Sequence, residues 1–475
     1  MFTAPISVLY VRLSVVRLSV ALVLTVLIAV SGCAQSPVGV KRALAEPTVT
    51  PSAASETAVS AESAESGRTR APDVPDAVSE VRPAPRSGKG ESGQAGSGEP
   101  AGEGFVHPGV FVDEVLLDAM RRRVEAGEDP AAQVFTEMMR SKWGSLDHRA
   151  EPRAVVECGG HQNPDHGCTE ERRDAHAAYA QALAWVVTGD EAHARKSIEI
   201  MNAWSSTIRG HTNTNARLQA AWAGAIWARA AEIIRHTGGG WPETDAERFE
   251  RMLRDVYLPQ VTERSYANGN WELAMTEAAV GIAVFLDDRE VYDRAVSVFR
   301  NRARAYVYLE SDGDLPREAS GSPYDTEHEI IAFWQGQRDF RNGVAQETCR
   351  DLSHTTLGLT AMSHVLMTTS IQGDDLYPRV GPRLAAAFEL HAEIELTDAV
   401  PSWLCGGSVD GRLEYLPSSA LSVLAGRFGC PMTWSRRHDD AWRTFGTNEL
   451  LTAWEPLTHG APAGPRGSSD PELCP

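Results

Sequence analysis

Basic residues are in deficit. The 475-residue chain has 45 Lys and Arg against 64 Asp and Glu, a formal net charge of −19. Residues 1–40 carry +2 and residues 41–105 carry −3, so −18 rests on the remainder. An acidic domain argues against nucleic acid as a partner, and it requires that any polyanionic ligand meet basic groups concentrated locally. Strand-type alternation is scarce, which argues against a sheet-based fold. There is no strict repeat of the solenoid type. No Pro/Ser/Gly-rich linker interrupts residues 106–460, a length suited to one large domain. The apolar run at residues 18–30 is short for a stable membrane span.

Arg12 and Arg17 precede that run, and it ends in Val30-Ser31-Gly32-Cys33. This is the form of a secretory signal, and its last four residues resemble the lipobox of bacterial lipoproteins. The resemblance implies cleavage before Cys33 and a diacylglyceryl thioether on its sulfur. The mature protein is then expected outside the cytoplasm, anchored to the bacterial cell envelope through lipid at Cys33. An ordinary signal peptide with a chance cysteine is the alternative. Residues 34–105 are mostly Ala, Ser, Pro, Gly and Glu. Such a segment buries too little apolar surface to offset its ordering entropy, and reads as a disordered tether. Residues 461–475 read as a flexible tail.

What residues 106–460 do have is helical periodicity. Runs at 174–187, 191–204, 218–236, 243–257, 271–286 and 289–306 follow one another. They are separated by short breaks such as Thr188-Gly189-Asp190 and Asp287-Asp288-Arg289. Short breaks between helices give antiparallel hairpins. The expected fold is all-α, a single large (α/α) toroid of antiparallel helical hairpins. Residues 307–345 lack clear periodicity, and an excursion of that length is often a functional lid.

Residues 346–377 read as one long helix. Leu352, Leu359, Met362 and Leu366 fall on one side, with Glu347, Arg350, His354, Gly358 and Ala361 on the other. An acid, a base, an imidazole and then small residues describe a face that lines a cleft, or else a solvated polar face. Arg350 could meet a carboxylate bidentately or pair with Glu347 or Asp351.

Six cysteines remain besides Cys33. Cys158 and Cys168 bracket a turn-rich loop, and in an exported protein a disulfide is the first expectation. Zinc held by Cys158, His161, His166 and Cys168 is the rival. Cys405 and Cys430 form a candidate pair, and Cys349 reads as a buried thiol.

The stretch Tyr266-Ala267-Asn268-Gly269-Asn270-Trp271-Glu272 is a turn entering a helix that Asn270 is placed to cap. Asparagine amides at a helix start also suit a carboxylate. From here the order of motifs is specific. NGNWELAM, AVFLDDREVYDRAV, QETCRDLSHTTLGL, IQGDDLY, PSWLCGG and WEPLTHG together resemble the alginate lyase family, helical-toroid polysaccharide lyases acting on alginate and glucuronan. The resemblance covers most of residues 150–460. It implies an acidic polysaccharide as substrate, β-elimination at a uronate, and neither metal nor organic cofactor. In such chemistry one group neutralises the C5 carboxylate, a base removes the C5 proton and an acid protonates O4. The family's Asn falls on Asn270 (or Asn268) and its His on His354. Asn268, Trp271, Arg350 and Glu347 are then expected to bind substrate. The family's Tyr- and His-bearing motif before Arg-Leu-Gly has no full match, since the corresponding positions hold Leu421, Val423 and Leu424 before Arg427-Phe428-Gly429. The nearest candidates for Arg and Tyr are Arg412 and Tyr415, with Tyr324 as a second tyrosine, and His354 alone as base is the other solution.

Two rivals stay open. One is a non-catalytic glycan-binding lipoprotein on the same scaffold. The other is a glycoside hydrolase, with Glu347 and Asp351 as its acid pair. Trp222, Trp271 and Trp334 are candidates for stacking on sugar rings, and the loop holding His211, Asn213 and Asn215 is a candidate border of the cleft.

Overall fold

A computed structural model describes residues 104–460 and Cys474. The signal peptide, Cys33, nearly all of the tether and most of the tail lie outside the described residues. The described residues belong to one compact unit. They are mostly helical.

The chain enters through α1 (Glu114–Glu125) and α2 (Ala131–Arg140). Strands β1 (Val155–Cys158) and β2 (Asp165–His166) precede α3 (Cys168–Thr188) and α4 (Glu191–Thr207). Then come β3 (Gly210–Thr212), α5 (Ala216–His236) and α6 (Glu243–Met252), the last running through a π-turn into α7 (Leu258–Val261). The hairpin of α8 (Gly269–Phe285) and α9 (Arg289–Tyr306) follows. After it come α10 (Glu327–Phe333), α11 (Leu352–Ile371), α12 (Tyr377–Thr397), α13 (Ser418–Ser422), α14 (Thr433–Trp442) and α15 (Glu455–Thr458).

One local device recurs at the hairpin turns. Gly189 ends α3 in the left-handed region and Asp190 then caps α4. Asp287 takes the same left-handed conformation, and Asp288 caps α9 by accepting from Val291 N. A left-handed residue reverses the chain and an aspartate satisfies the next helix's free N–H groups. These are the breaks that the sequence marks.

Helices α3, α5, α8 and α11 pack side by side in that order, with α4 on α3, α9 on α8 and α12 on α11. α13 packs on α11, α15 on α13, and α15 touches α1 and α2, which both reach α3. The middle helices are buried nearly all round. Every residue of α8 is buried except Trp271.

The helix expected from residue 346 begins only at Leu352, because residues 346–351 form a buried turn capped by Asp351. The small residues of α11 leave room as expected, but for a neighbour. A Cβ on Gly358 would fall 2.2 Å from Tyr306 Oη. Residues 307–345 are not a bare lid. Tyr308, Ile330, Trp334, Phe340 and Val344 pack with Ile394 and Leu404 as a second apolar cluster. Its base is closed where Tyr308 N donates to Val344 O at 2.9 Å and Gln346 N to Tyr306 O at 2.8 Å.

A three-stranded sheet of order β2-β1-β3 is the main exception to helix. β1 runs antiparallel to β2 and parallel to β3, with Glu157 opposite both His166 and Thr212. The sheet brings residues 159–164 beside residues 213–215, where Asn215 Nδ2 donates to Gly159 O at 3.1 Å.

Candidate functional site

A cleft of about 380 Å³ opens among α3, α5, α8 and α11. Each helix contributes from its first turns. α3 supplies Arg172, α5 supplies Gln219 and Trp222 beside Asn215, α8 supplies Asn270 and Trp271, and α11 supplies His354 and Leu357 after Arg350. Four helix N-termini therefore face one cleft, and each carries partial positive charge. The lining holds two arginines and two histidines, and no carboxylate among the described residues. Within an acidic protein this is the local basic concentration that a polyanion requires.

Beneath the lining Glu347 is fully buried and holds three groups in place. Asn270 Nδ2 donates to its Oε1 at 2.7 Å, and Asn270 N to its Oε2 at 3.1 Å. Arg350 Nη1 donates to Oε1 at 2.7 Å, and Tyr306 Oη to Oε2 at 3.1 Å. Burial pushes the Glu347 carboxyl up, opposed by Arg350. Burial also raises the Tyr306 phenol well above its ordinary range. Glu347 thus fixes Asn270 and Arg350 side by side and is itself out of reach of a ligand, which corrects its expected substrate contact. The first amides of α8 are satisfied from this turn, Gly269 N by Gln346 Oε1 at 2.9 Å. Asn270 is therefore not the helix cap, and its amide presents one remaining N–H. Asn268 precedes the first residue of α8 and does not line the cleft, which corrects its expected substrate contact; its Oδ1 accepts from Gln346 Nε2 at 3.2 Å.

His354 is held from one side. Its Nδ1 lies 2.8 Å and 2.6 Å from the two oxygens of Asp351, so Nε2 is the nitrogen left for a ligand. Arg172 is fixed by Gln219, whose Oε1 accepts from Arg172 Nη1 at 2.5 Å. Gln219 Nε2 in turn donates to buried Glu171 at 2.6 Å, which also accepts from Tyr257 and bonds His211. A disulfide joins Cys158 and Cys168 and sets His161 and Gln162 on the rim. Those sulfurs are consequently not metal ligands.

Several expectations are corrected. Tyr415 does not line the cleft. It is buried, its Oη accepts from Asn448 Nδ2 at 2.8 Å, and burial raises its phenol. Arg412 points outward, paired with Glu395 at 2.7 Å and stacked over Trp442. Tyr324 stacks on Phe333 and donates to Tyr266 O. No tyrosine lines the cleft among the described residues. Glu347 and Asp351 are both committed to neighbours, which leaves no free carboxylate pair for a hydrolase. Trp334 belongs to the second apolar cluster, whereas Trp222 and Trp271 do line the cleft. Cys349 is bonded to Cys405, and Cys430 to Cys474. Arg172 and Gln219 were not legible as site residues, since they meet across 47 positions of chain. Asp351 carried a signal, an aspartate three residues before His354 at a helix start.

A larger cavity of about 490 Å³ lies by α13 and α14. Its lining mixes Asp129, Asp439 and Asp440 with Arg427, Arg436 and Arg443 and has no Trp, Tyr or Phe, so it fits a sugar polymer less well.

Residues 139–399 match the sequence model of the alginate lyase family. No curated protein matches the chain. Among solved structures, alginate lyase A1-III from Sphingomonas species A1 is 15% identical, with 77% of this chain and 100% of that one covered and a TM-score of 0.54. A Tyr-to-Phe variant of A1-III, complexed with tetrasaccharide, is 16% identical over 76% of this chain and 98% of that one, TM-score 0.54. An alginate lyase from Bacteroides ovatus is 13% identical over 74% and 99%, TM-score 0.50. At such identity these structures speak for the fold alone. The family match is of another kind, because it spans more than half of the chain and contains α3, α5, α8 and α11 with the cleft between them; the chain belongs to the alginate lyase family and is a polysaccharide lyase.

Proposed function

We propose that the cleft binds alginate and cleaves it by β-elimination, with His354 as the base. The observation that carries this reading is the convergence of four helix N-termini on a lining with cations and, among the described residues, no acid. A uronate polymer brings one carboxylate per sugar, and Arg350 and the free N–H of Asn270 are placed to receive the carboxylate at the reacting residue. Their hydrogen bonds strengthen as that carboxylate gains enediolate charge, which lowers the barrier to losing the C5 proton. His354 Nε2 takes that proton while Asp351 holds Nδ1. The electron pair forms the C4–C5 double bond and O4 departs. The imidazolium then returns the proton to O4, so the enzyme ends unchanged. Trp222 and Trp271 offer ring faces to neighbouring sugars.

The finer architecture belongs to the same reading. The packing order from α3 through α11, α13 and α15 back to α1 and α2 supports an (α/α) toroid with the cleft at one end. We also propose export and lipid anchoring at Cys33, on the strength of Arg12, Arg17, the apolar run and Val30-Ser31-Gly32-Cys33. Among the described residues no helix is long and apolar enough to cross a membrane. Replacing Cys33 by Ser should move the protein from the membrane to the soluble fraction, and an unchanged membrane fraction would exclude the anchor.

The direct test mixes the protein with alginate and, separately, glucuronan, and follows ultraviolet absorbance of the unsaturated uronate. A rise with alginate that His354→Ala abolishes is expected. Folded protein that binds alginate without any rise would replace this reading with that of a glycan-binding protein.

A further inference from the structure

A second set of ligand-type side chains lies at the far end of α5. Glu232 and His236 are four residues apart, so they share a face, and His107 reaches them from the segment before α1. From Gln219 in the cleft to Glu232 is thirteen residues, about 20 Å of helix. The carboxylate of Glu232 is fully buried, yet among the described residues it pairs with no Arg or Lys. Its neighbours are His107 Nδ1 at 3.0 Å, His236 Nε2 at 3.6 Å and Gly109 N, which donates to Oε2 at 2.8 Å. A buried carboxylate without a permanent cation is costly.

The donor spacing suits an ion, and the His107 and His236 rings, stacked at 4.4 Å between centroids with 14° between their planes, must turn for both lone pairs to meet at it. The three donor atoms lie within 4.8 Å of one another. Four ligands at bond lengths of about 2.0–2.1 Å stand about 3.3 Å apart in a tetrahedron, and the two distances to Glu232, 3.0 and 3.6 Å, bracket that value. Behind His107 its other nitrogen, Nε2, lies 3.2 Å from Asp287 Oδ1. A carboxylate on the far nitrogen is the usual support of a metal-binding imidazole. His236 is exposed, which leaves the fourth direction to water.

We propose that His107, Glu232 and His236 bind one divalent ion of the zinc type, with Asp287 orienting His107. The ion neutralises Glu232 and fastens the segment at residues 104–109 to α5 and to the α8–α9 turn. It takes no part in the cleft's chemistry, and the proposal does not depend on the lyase reading.

The test uses the full-length protein after chelator treatment, titrated calorimetrically with Zn²⁺ and separately with Mg²⁺. The expected result is about one equivalent of Zn²⁺ bound with proton release and a raised Tm, and no binding of Mg²⁺, which imidazole ligands suit poorly. His236→Ala should remove that equivalent. Asp287→Asn should weaken it by about 10–100-fold, and Asn tolerates the left-handed backbone of Asp287. Both side chains are solvent-accessible, so the metal-free variants should keep the Tm of the metal-free wild type. Absence of Zn²⁺ binding by the wild type, or an equivalent that survives in His236→Ala, would overturn the proposal.

Discussion

Asp351 binds His354 twice over. One of its oxygens accepts the backbone N–H of His354 at 2.7 Å, capping α11, and the carboxylate also lies 2.6 Å from Nδ1 of the same residue. One aspartate therefore starts the helix and orients the imidazole. Asp351→Asn separates the two roles, since asparagine caps as well as aspartate but does not stabilise an imidazolium. Its kcat/KM should fall by about 10²–10⁴-fold while Tm stays near wild type. Steady-state rates beside a thermal melt decide it, and a full-rate variant would remove Asp351 from the mechanism.

Glu347 holds Asn270 and Arg350, the proposed carboxylate-binding pair, in place. Glu347→Ala leaves Arg350, the Asn270 amide and the Tyr306 hydroxyl without their shared acceptor. Arg350 faces the cleft and can be hydrated, but the buried Asn270 amide and Tyr306 hydroxyl are orphaned. Each such group costs about 1–3 kcal/mol, so urea denaturation should show a loss of at least about 2 kcal/mol. Stability within about 1 kcal/mol of wild type would mean that these groups find other partners.

Much of the helical order was legible, because Gly189-Asp190 and Asp287-Asp288 are breaks whose chemistry is local. Asn270, Trp271, Arg350 and His354 were also readable, as ordered motifs each belonging to one segment. What could not be read is whatever depends on which segments meet. Arg172 and Gln219 face one another only because α3 packs on α5. Gly358 is small because Tyr306, far back in the chain, fills the space. Among six thiols, nothing local prefers Cys405 to Cys430 as a partner for Cys349. Tyr415 was misread for the same reason: a tyrosine near the expected motif turned out to be bonded inside, to Asn448.

That placement makes a clean negative test. Tyr415→Phe removes a buried hydroxyl and orphans one N–H of Asn448, costing about 1 kcal/mol. Turnover should be unchanged, because the hydroxyl does not reach the cleft. A large fall in kcat with stability intact would return Tyr415 to the proton chemistry.

Acid stability follows from buried imidazoles. Burial pushes His459 down to about 3, and His176 and His391 down to about 4. Each stays neutral in the folded state and protonates at its ordinary value when unfolded. Their stabilisation is complete above about pH 6.5 and is lost as pH falls towards the folded values, by about 1.4 kcal/mol per pH unit each. His364, raised by Glu277 and Glu455 against the effect of burial, adds no slope below its unfolded value. Three histidines together give a slope of about 4 kcal/mol per pH unit between roughly pH 6 and pH 4. Urea midpoints across that range measure it, and a flat profile would contradict the burial of these rings.

The absence of a tyrosine from the lining, among the described residues, bears on which alginate is cut. If His354 both removes the C5 proton and returns it to O4, the two must lie on the same face of the sugar. In mannuronate and glucuronate they do, whereas in guluronate they lie on opposite faces. A single imidazole cannot reach both sides of one ring, so a guluronate residue would need a second proton donor on the opposite face. The protein should therefore release unsaturated product from mannuronate-rich polymer at least about tenfold faster than from guluronate-rich polymer, a difference of about 1.4 kcal/mol in barrier. Initial rates on the two block polymers at equal uronate concentration measure the ratio. Equal rates would require a donor on the opposite face, and exchange of Arg172 or His161 would be the way to find it.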